Sequence, residues 1–475
     1  MSFFSRHLMK KSIPNCFSSD ILGRAIPIVP VCQDDFAGWL ANQSARVKNL
    51  ISINGFLAKP NTFCLLADND GNLENVLLGL ANKDDFFSFG VLPKILAAGC
   101  YDIVASNFSS EQLEHAAIGW GMGSYQFKQY KKFTDFTATL LCKNYDVARI
   151  NRVISAIFLV RDLINTPAND LYPEKLAEVA MDLASEFKAE IKIIKGEELS
   201  KEFPAVYAVG RGSEKQPVLI DLRYGDLNAP KVVLVGKGVC FDSGGIQLKP
   251  ASGHILIMKK DMAGAAHVLA LARMIMDAKL PVNLRVIIPA VENLISGDSF
   301  KPGDVIKTRK GLSLEIMNTD AEGRLILADA LALASEGQPQ LILDFATLTG
   351  AARIALGPDI GALFSNNDKL AKDIITCTSK EQEPVWQMPL YQPYLEFLKS
   401  EIADFKNVVT SDGFGAGATT AALVLQQFVD PKIEWAHFDI NAYNATTTAG
   451  KPEGGEAFCL KGVFKYIEQR FMGVR

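Results

Sequence analysis

From about residue 171 onward, continuous apolar runs alternate with segments whose apolar residues recur every three to four positions. The runs "KVVLVG" (231–236), "VNLRVIIPAV" (282–291) and "LILDFATL" (341–348) are rich in β-branched residues, which predicts strands buried on both faces. Between them, "AGAAHVLALARMIMDAKL" (263–280) and "GRLILADALALASEG" (323–337) carry helical spacing. Strands alternating with helices predict an α/β domain whose mostly parallel sheet is flanked by helices.

Residues 1–145 are patterned differently. Short runs such as "NTFCLLAD" and "YDIVASN" mix with the helix-like "EQLEHAAIGWGM", which predicts a small N-terminal α/β domain with no evident chemistry. Ile150, Val153, Ile154, Ile157 and Phe158 then recur at helical spacing. "NTPAND" ends that pattern, because the residue before Pro167 is pushed away from the helical region. The expected organisation is an N-terminal domain (1–145), a linker helix (146–170) and a larger second domain (171–475).

Composition excludes more than it reveals. The chain has 475 residues, 48% hydrophobic and 21% charged, which suits two or three soluble globular domains. A net charge of −4 argues against nucleic acid or an anionic membrane as the main partner. The short basic cluster "KQYKKF" reads as solvated surface. Eight scattered cysteines form no CxxC pair, the usage of a reducing compartment. The N-terminus lacks the apolar core of a secretory signal, and no run approaches the roughly 18 apolar residues of a membrane span. The expectation is a soluble, cytoplasmic protein.

Candidate chemistry gathers at the predicted strand ends, where ligands bind in such sheets. Lys237 follows one strand, and Asp242 and Lys249 flank the double glycine of "FDSGGIQLK". Asp261 opens a helix, while Asp320, Glu322 and Arg324 crowd the start of "NTDAEGRLILADAL". Singly, each has an ordinary explanation: a solvated loop lysine, a turn aspartate, a helix cap, a carboxylate favouring a helix dipole. Together, four carboxylates at one sheet edge would repel unless divalent cations neutralised them. Oxygen-rich ligands suit Mg²⁺, Mn²⁺ or Zn²⁺ in a two-metal arrangement. No HExxH is present, and "GKG" (236–238) lacks the spacing of a phosphate-binding loop.

These residues reach a known pattern. "NTDAEGRL" (318–325), with "GKGVCFDSGG", "MKKDMAGAA", "INTPAND" and "DFATLTGA", resembles the leucyl aminopeptidase family of cytosolic two-metal peptidases over roughly residues 160–440. The resemblance implies a metal-dependent aminopeptidase, its second domain catalytic, acting on peptides with a free N-terminus. It implies that Asp242 and Glu322 bridge two divalent ions, Mn²⁺ or Zn²⁺ with Mg²⁺ the other candidate. Asp320 would ligate one ion, and Lys237 and Asp261 the other. Lys249 would steady the oxyanion, and Arg324 would hold a bicarbonate acting as general base. Met258, Thr347, Leu348 and Gly350 would line a side-chain pocket preferring leucine-like residues. A homohexamer is implied as well.

Departures from the pattern are visible. One extra residue lies between Lys249 and Asp261, around "GHILIM". Ser243 stands where threonine is usual. After "WAHFDI", the stretch "NAYNATTTAGKPEGGEAF" suggests a divergent bacterial-type branch. No histidine matches a ligand position: His7 and His115 are expected in structural or surface roles, and His254, His267 and His437 in structural ones. Three rivals remain: a nucleic-acid-binding protein, disfavoured by charge; a silent scaffold, disfavoured by seven competent site residues; and a two-metal phosphoesterase, which gives no reason for the two lysines.

Overall fold

The protein is described by a computed structural model covering residues 16–18, 24–143, 145–251, 253–410 and 413–473. His7, the stretch before residue 16 and the side chain of His254 lie outside the described residues. The chain forms two compact units. One holds the described residues from 16 to 158 together with Asn444–Gly454, the other Leu159–Tyr443 with residues 455–473.

In the first unit, a six-stranded sheet runs in the order Phe17–Ser18, Ala138–Leu141, Gly99–Ile103, Ile26–Cys32, Leu73–Leu80, Phe63–Ala67. All its pairings are parallel except the last, at the Phe63–Ala67 edge. Helix Ser110–Gly123 begins at a reciprocal cap in which Ser109 and Gln112 each bond the other's backbone N–H. Val31, Ile51, Phe56, Leu66 and Leu77 form a core on this sheet.

The helix expected near residue 150 spans Val147–Asn165, and Ile150, Val153, Ile154, Ile157 and Phe158 are all buried in it.

The second unit is built on a nine-stranded sheet. In chain order its strands are β1 (Glu190–Lys195), β2 (Val218–Tyr224), β3 (Lys231–Gly236), β4 (Gly238–Asp242), β5 (Asn283–Asn293), β6 (Leu341–Ala346), β7 (Gly361–Ser365), β8 (Val385–Gln387) and β9 (Glu434–Asp439). They lie in the order β8-β7-β9-β6-β3-β5-β2-β1, with β4 paired to β5. The central strands β9, β6, β3 and β5 are parallel, so their carboxyl ends share one edge. Antiparallel strands flank them on both sides. Strand β3 is buried along its length apart from its first residue, as its unbroken apolar run requires.

Two helices fix the site. Helix α1 (Ala263–Asp277) follows Asp261, and α2 (Gly323–Glu336) follows Glu322. Helix α2 is buried on every side, since its apolar residues are not confined to one stripe. Leu325, Ile326, Leu327 and Leu331 are wholly buried, each stabilising the fold by roughly 2 kcal/mol. Within this apolar helix sits Asp329. Its carboxylate accepts from the backbone N–H groups of Ala205 (2.9 Å), Val206 (3.2 Å) and Arg309 (2.8 Å). Burial pushes its pKa up to about 7, so those three donors must repay a considerable desolvation cost. Asp329→Ala would orphan all three, and a loss of about 3 kcal/mol or more is expected in urea unfolding. A loss below about 1 kcal/mol would show that the anchor is dispensable.

Candidate metal centre

Lys237 leaves the end of β3. Its N–H bonds the Phe345 carbonyl in β6 (3.0 Å), and its own carbonyl accepts from Ala265 in α1 (2.9 Å). The backbone is thus clamped between strand and helix, and the side chain crosses toward the start of α2. Gly323 makes room there: a Cβ at that position would stand 2.6 Å from Lys237 Cε and 2.8 Å from Nζ. Lys237 Nζ lies 2.8 Å from Asp261, 2.9 Å from Glu322 Oε1 and 3.0 Å from the Thr347 carbonyl.

Asp242 ends β4. Its Oδ1 accepts from the Gly244 N–H (2.9 Å) and from Asn293 Nδ2 (2.8 Å), while Oδ2 faces Lys249 Nζ at 2.7 Å. Gly244, at φ +91°, lets the loop fold back against Gln247, Lys249 and Asp320. Lys249 also pairs with Asp320 at 2.5 Å.

The structure brings three of the four carboxylates into mutual contact range. Carboxylate oxygens of Asp242, Asp261 and Glu322 all lie within 4.8 Å of one another, and the three residues are buried. Asp320 stands apart from this trio, partly exposed and joined to it through Lys249. Arg324 is buried beneath, donating to the Asn407 carbonyl, and its Nε has no partner. Burial pulls its pKa down to about 10.

Charge is unbalanced here. Four carboxylates against two ammonium groups leave two negative charges. Burial, with Glu322 and Asp261 nearby, holds Asp242 well above the usual carboxylate range. Burial also lifts Asp261 to about 7, although Lys237 opposes it. Burial disfavours ionised Glu322 too, yet Lys237 and Lys249 keep it below the ordinary range. For Lys237, burial alone would favour the neutral amine, but Asp261, Glu322 and Asp242 outweigh it and hold the ammonium.

These residues fit a divalent cation. Glu322 Oε2 is buried with no hydrogen bond or ion pair, an expensive condition for a carboxylate oxygen unless a cation is its partner, and Asp261 Oδ2 has only the Lys237 ammonium at 2.8 Å. The donors are hard oxygens, as Mg²⁺, Mn²⁺ and the oxygen-binding mode of Zn²⁺ require. An ammonium has no lone pair, so Lys237 could join them only by losing its proton.

Several supporting residues left no mark in the sequence reading. Asn293, at the end of β5, orients Asp242 and also donates to the Thr319 carbonyl (3.1 Å). Asn407 accepts from the N–H groups of Met317 (2.8 Å) and Asn318 (3.3 Å) and donates to the Asn318 carbonyl (2.7 Å). Gln247 and Thr319 bond each other reciprocally. Asn293 could have been found by looking past the end of a predicted strand; Asn407, far off in a loop, carried no signal. His267 and His437 lie within the helix and strand framework. His267 Nδ1 meets the Ala263 carbonyl (2.6 Å) and Nε2 accepts from Phe458 N–H (2.8 Å), while His437 Nδ1 meets Asp344 (2.5 Å).

Asp242 and Asp261 of the trio, with Asp320, line a cavity of about 340 Å³. Met258, Thr347, Leu348 and Gly350 all line it, with Ile257 and Ile360. Thr347 does more: its hydroxyl donates to Asp261 (2.7 Å) and its carbonyl accepts from Lys237 (3.0 Å). Asp439, at the end of β9, pins the following loop by accepting from Leu348 N–H (2.9 Å), Thr349 N–H (3.2 Å) and the Thr349 hydroxyl (2.6 Å).

Comparison with known proteins places this geometry. Residues 158–463 match the model of the cytosol aminopeptidase family catalytic domain, and residues 26–142 match the M17 aminopeptidase N-terminal domain. A protein of Syntrophotalea carbinolica named probable cytosol aminopeptidase is 46% identical over 328 residues, 68% of this chain and 65% of that relative. The crystal structure of a cytosol aminopeptidase from Coxiella burnetii is 48% identical with a TM-score of 0.93, covering 96% of this chain and 100% of its own. The bottromycin maturation enzyme BotP, solved in complex with Mn, is 30% identical with a TM-score of 0.85, covering 94% and 100%. The chain therefore belongs to the cytosol aminopeptidase family, M17, and is with it a hydrolase of the metal-dependent exopeptidase class.

Proposed function

We propose that the protein releases N-terminal residues from peptides using two divalent cations and a bicarbonate held by its own side chains. Asp242, Asp261, Glu322, Asp320 and a deprotonated Lys237 would hold the cations. The single observation that carries this reading is the buried trio of carboxylates, in which Glu322 Oε2 has neither a hydrogen bond nor an ion pair. When bound, the cations supply Lewis acidity, activating water and polarising the scissile carbonyl. Mn²⁺ is favoured by the manganese complex of the relative BotP, with Zn²⁺ and Mg²⁺ the other candidates.

The chain's own groups do the rest. Lys249, an ammonium on the cavity wall, donates to the carbonyl oxygen as negative charge develops there. Burial disfavours the charged form of Lys249, but Asp242 and Asp320 keep it protonated and ready to donate. Arg324, with a buried and unpartnered Nε, would hold the bicarbonate that supplies a general base. The free α-amine is received beside Asp261, which restricts cleavage to the first residue of a chain. Met258, Leu348 and Ile257 offer apolar contact to a leucine-like side chain. A cytoplasmic homohexamer is the assembly this family resemblance suggests, and light scattering tests it.

The test measures metal stoichiometry beside hydrolysis of free and N-acetylated dipeptides. About two cations per chain and cleavage confined to the free peptides are expected. Absence of bound cation in active protein, or equal cleavage of acetylated peptides, would overturn the proposal.

A further inference from the structure

Two cationic side chains on the cavity wall take no part in the chemistry above. Lys260 precedes Asp261 but turns away from the trio, donating to the Asn441 carbonyl (2.6 Å) and to Asn441 Oδ1 (2.8 Å). Two of its three N–H donors are thereby used and its ammonium is fixed in place. Arg353 reaches the same cavity from the short helix Gly350–Leu356 and is solvent-exposed. Among the described residues neither forms an ion pair, and Arg353 makes no side-chain hydrogen bond.

The acidic groups on the wall pair with other partners: Asp261 and Asp439 favour the charged form of Lys260 from a distance, but neither forms an ion pair with it among the described residues. Asp242, Asp261 and Asp320 face Lys237 and Lys249, and Asp439 is engaged by three donors of the 348–349 loop. The rest of the lining includes Ile257, Met258, Leu348 and Ile360. Two like charges beside an apolar wall disfavour one another unless an anion joins them. A guanidinium fork matches a carboxylate in two parallel hydrogen bonds.

We propose that this cavity takes the side-chain carboxylate of an acidic N-terminal residue, glutamate above all, recognised by Arg353 and Lys260. The apolar wall packs the methylenes of that side chain, and the cations meet its end. The inference rests on the aminopeptidase reading and narrows it: acidic N-termini are processed at least as well as leucine.

The test uses the full-length, Mn²⁺-loaded protein and the p-nitroanilides of Glu, Gln and Leu, which have no C-terminal carboxylate. Glutamate should exceed its neutral isostere glutamine in kcat/KM by on the order of tenfold or more. Arg353→Ala should cut the Glu/Gln ratio on the order of 10- to 100-fold, and Arg353→Glu should make Lys-p-nitroanilide a better substrate than the glutamate compound. A Glu/Gln ratio near one, or one unmoved by either substitution, overturns the inference. So does an Arg353 dependence seen with Leu-Gly but absent with Leu-Gly-amide, which would assign the cations to the peptide's far end. Cleavage of the leucine compound alone sinks this inference and spares the aminopeptidase reading; cleavage of none sinks both.

Discussion

Glu322→Gln is expected to lower kcat/KM on a free dipeptide by about a thousandfold or more, and to leave the protein folded but short of bound cation. Glu322 is buried, with one oxygen on Lys237 and the other on nothing. An amide keeps the shape but turns N–H groups toward the space a cation would occupy, and it removes a negative charge from the trio. Because Glu322 stands at the start of a helix buried on every side and its side chain makes no capping hydrogen bond there, the backbone should hold its position. Metal content and activity must therefore fall together while the thermal unfolding profile stays cooperative. A variant that keeps its full cation complement and loses turnover would show that Glu322 acts in some other way.

Lys249→Ala should separate those two readouts. Removing an oxyanion donor costs on the order of 10²- to 10³-fold in turnover. Lys249 also neutralises Asp242 and Asp320 at 2.7 and 2.5 Å, so its loss leaves the trio more negative and cation capture no weaker. The expected variant is metal-replete and nearly inactive. Were Lys249 only a counter-charge for the two aspartates, bound cations could take over that task and turnover would survive. Loss of the metal along with the activity would equally contradict the role assigned to it.

The sequence made the framework legible because periodicity reports burial directly. The runs 231–236 and 341–346 became adjacent parallel strands, and the segments beginning at 263 and 323 became the two helices that hold the charged loops. The residues carrying charge were legible for a related reason. Carboxylates and lysines at strand ends are costly without partners, so crowding them is itself a signal. Asn293 and Asn407 gave none, because a neutral amide in a loop costs little and looks like any turn residue. Arg353 was hidden differently. Within "TLTGAARIALG" it reads as a helix residue on a solvent face, and only the cavity brings it to Lys260. The return of Asn444–Gly454 to the first unit was equally invisible, since contact between distant segments leaves no periodic trace.

Thr347 ties the cavity wall to the proposed cation cradle, with its hydroxyl on Asp261 and its carbonyl on Lys237 while its neighbour Leu348 lines the cavity. Anyone redesigning this enzyme for a new amino acid will meet that linkage as epistasis: substitutions at 347–350 chosen for selectivity will also retune metal retention, and their effects will not add. Positions 353 and 360, which touch the pocket without touching the cradle, are where selectivity can evolve on its own.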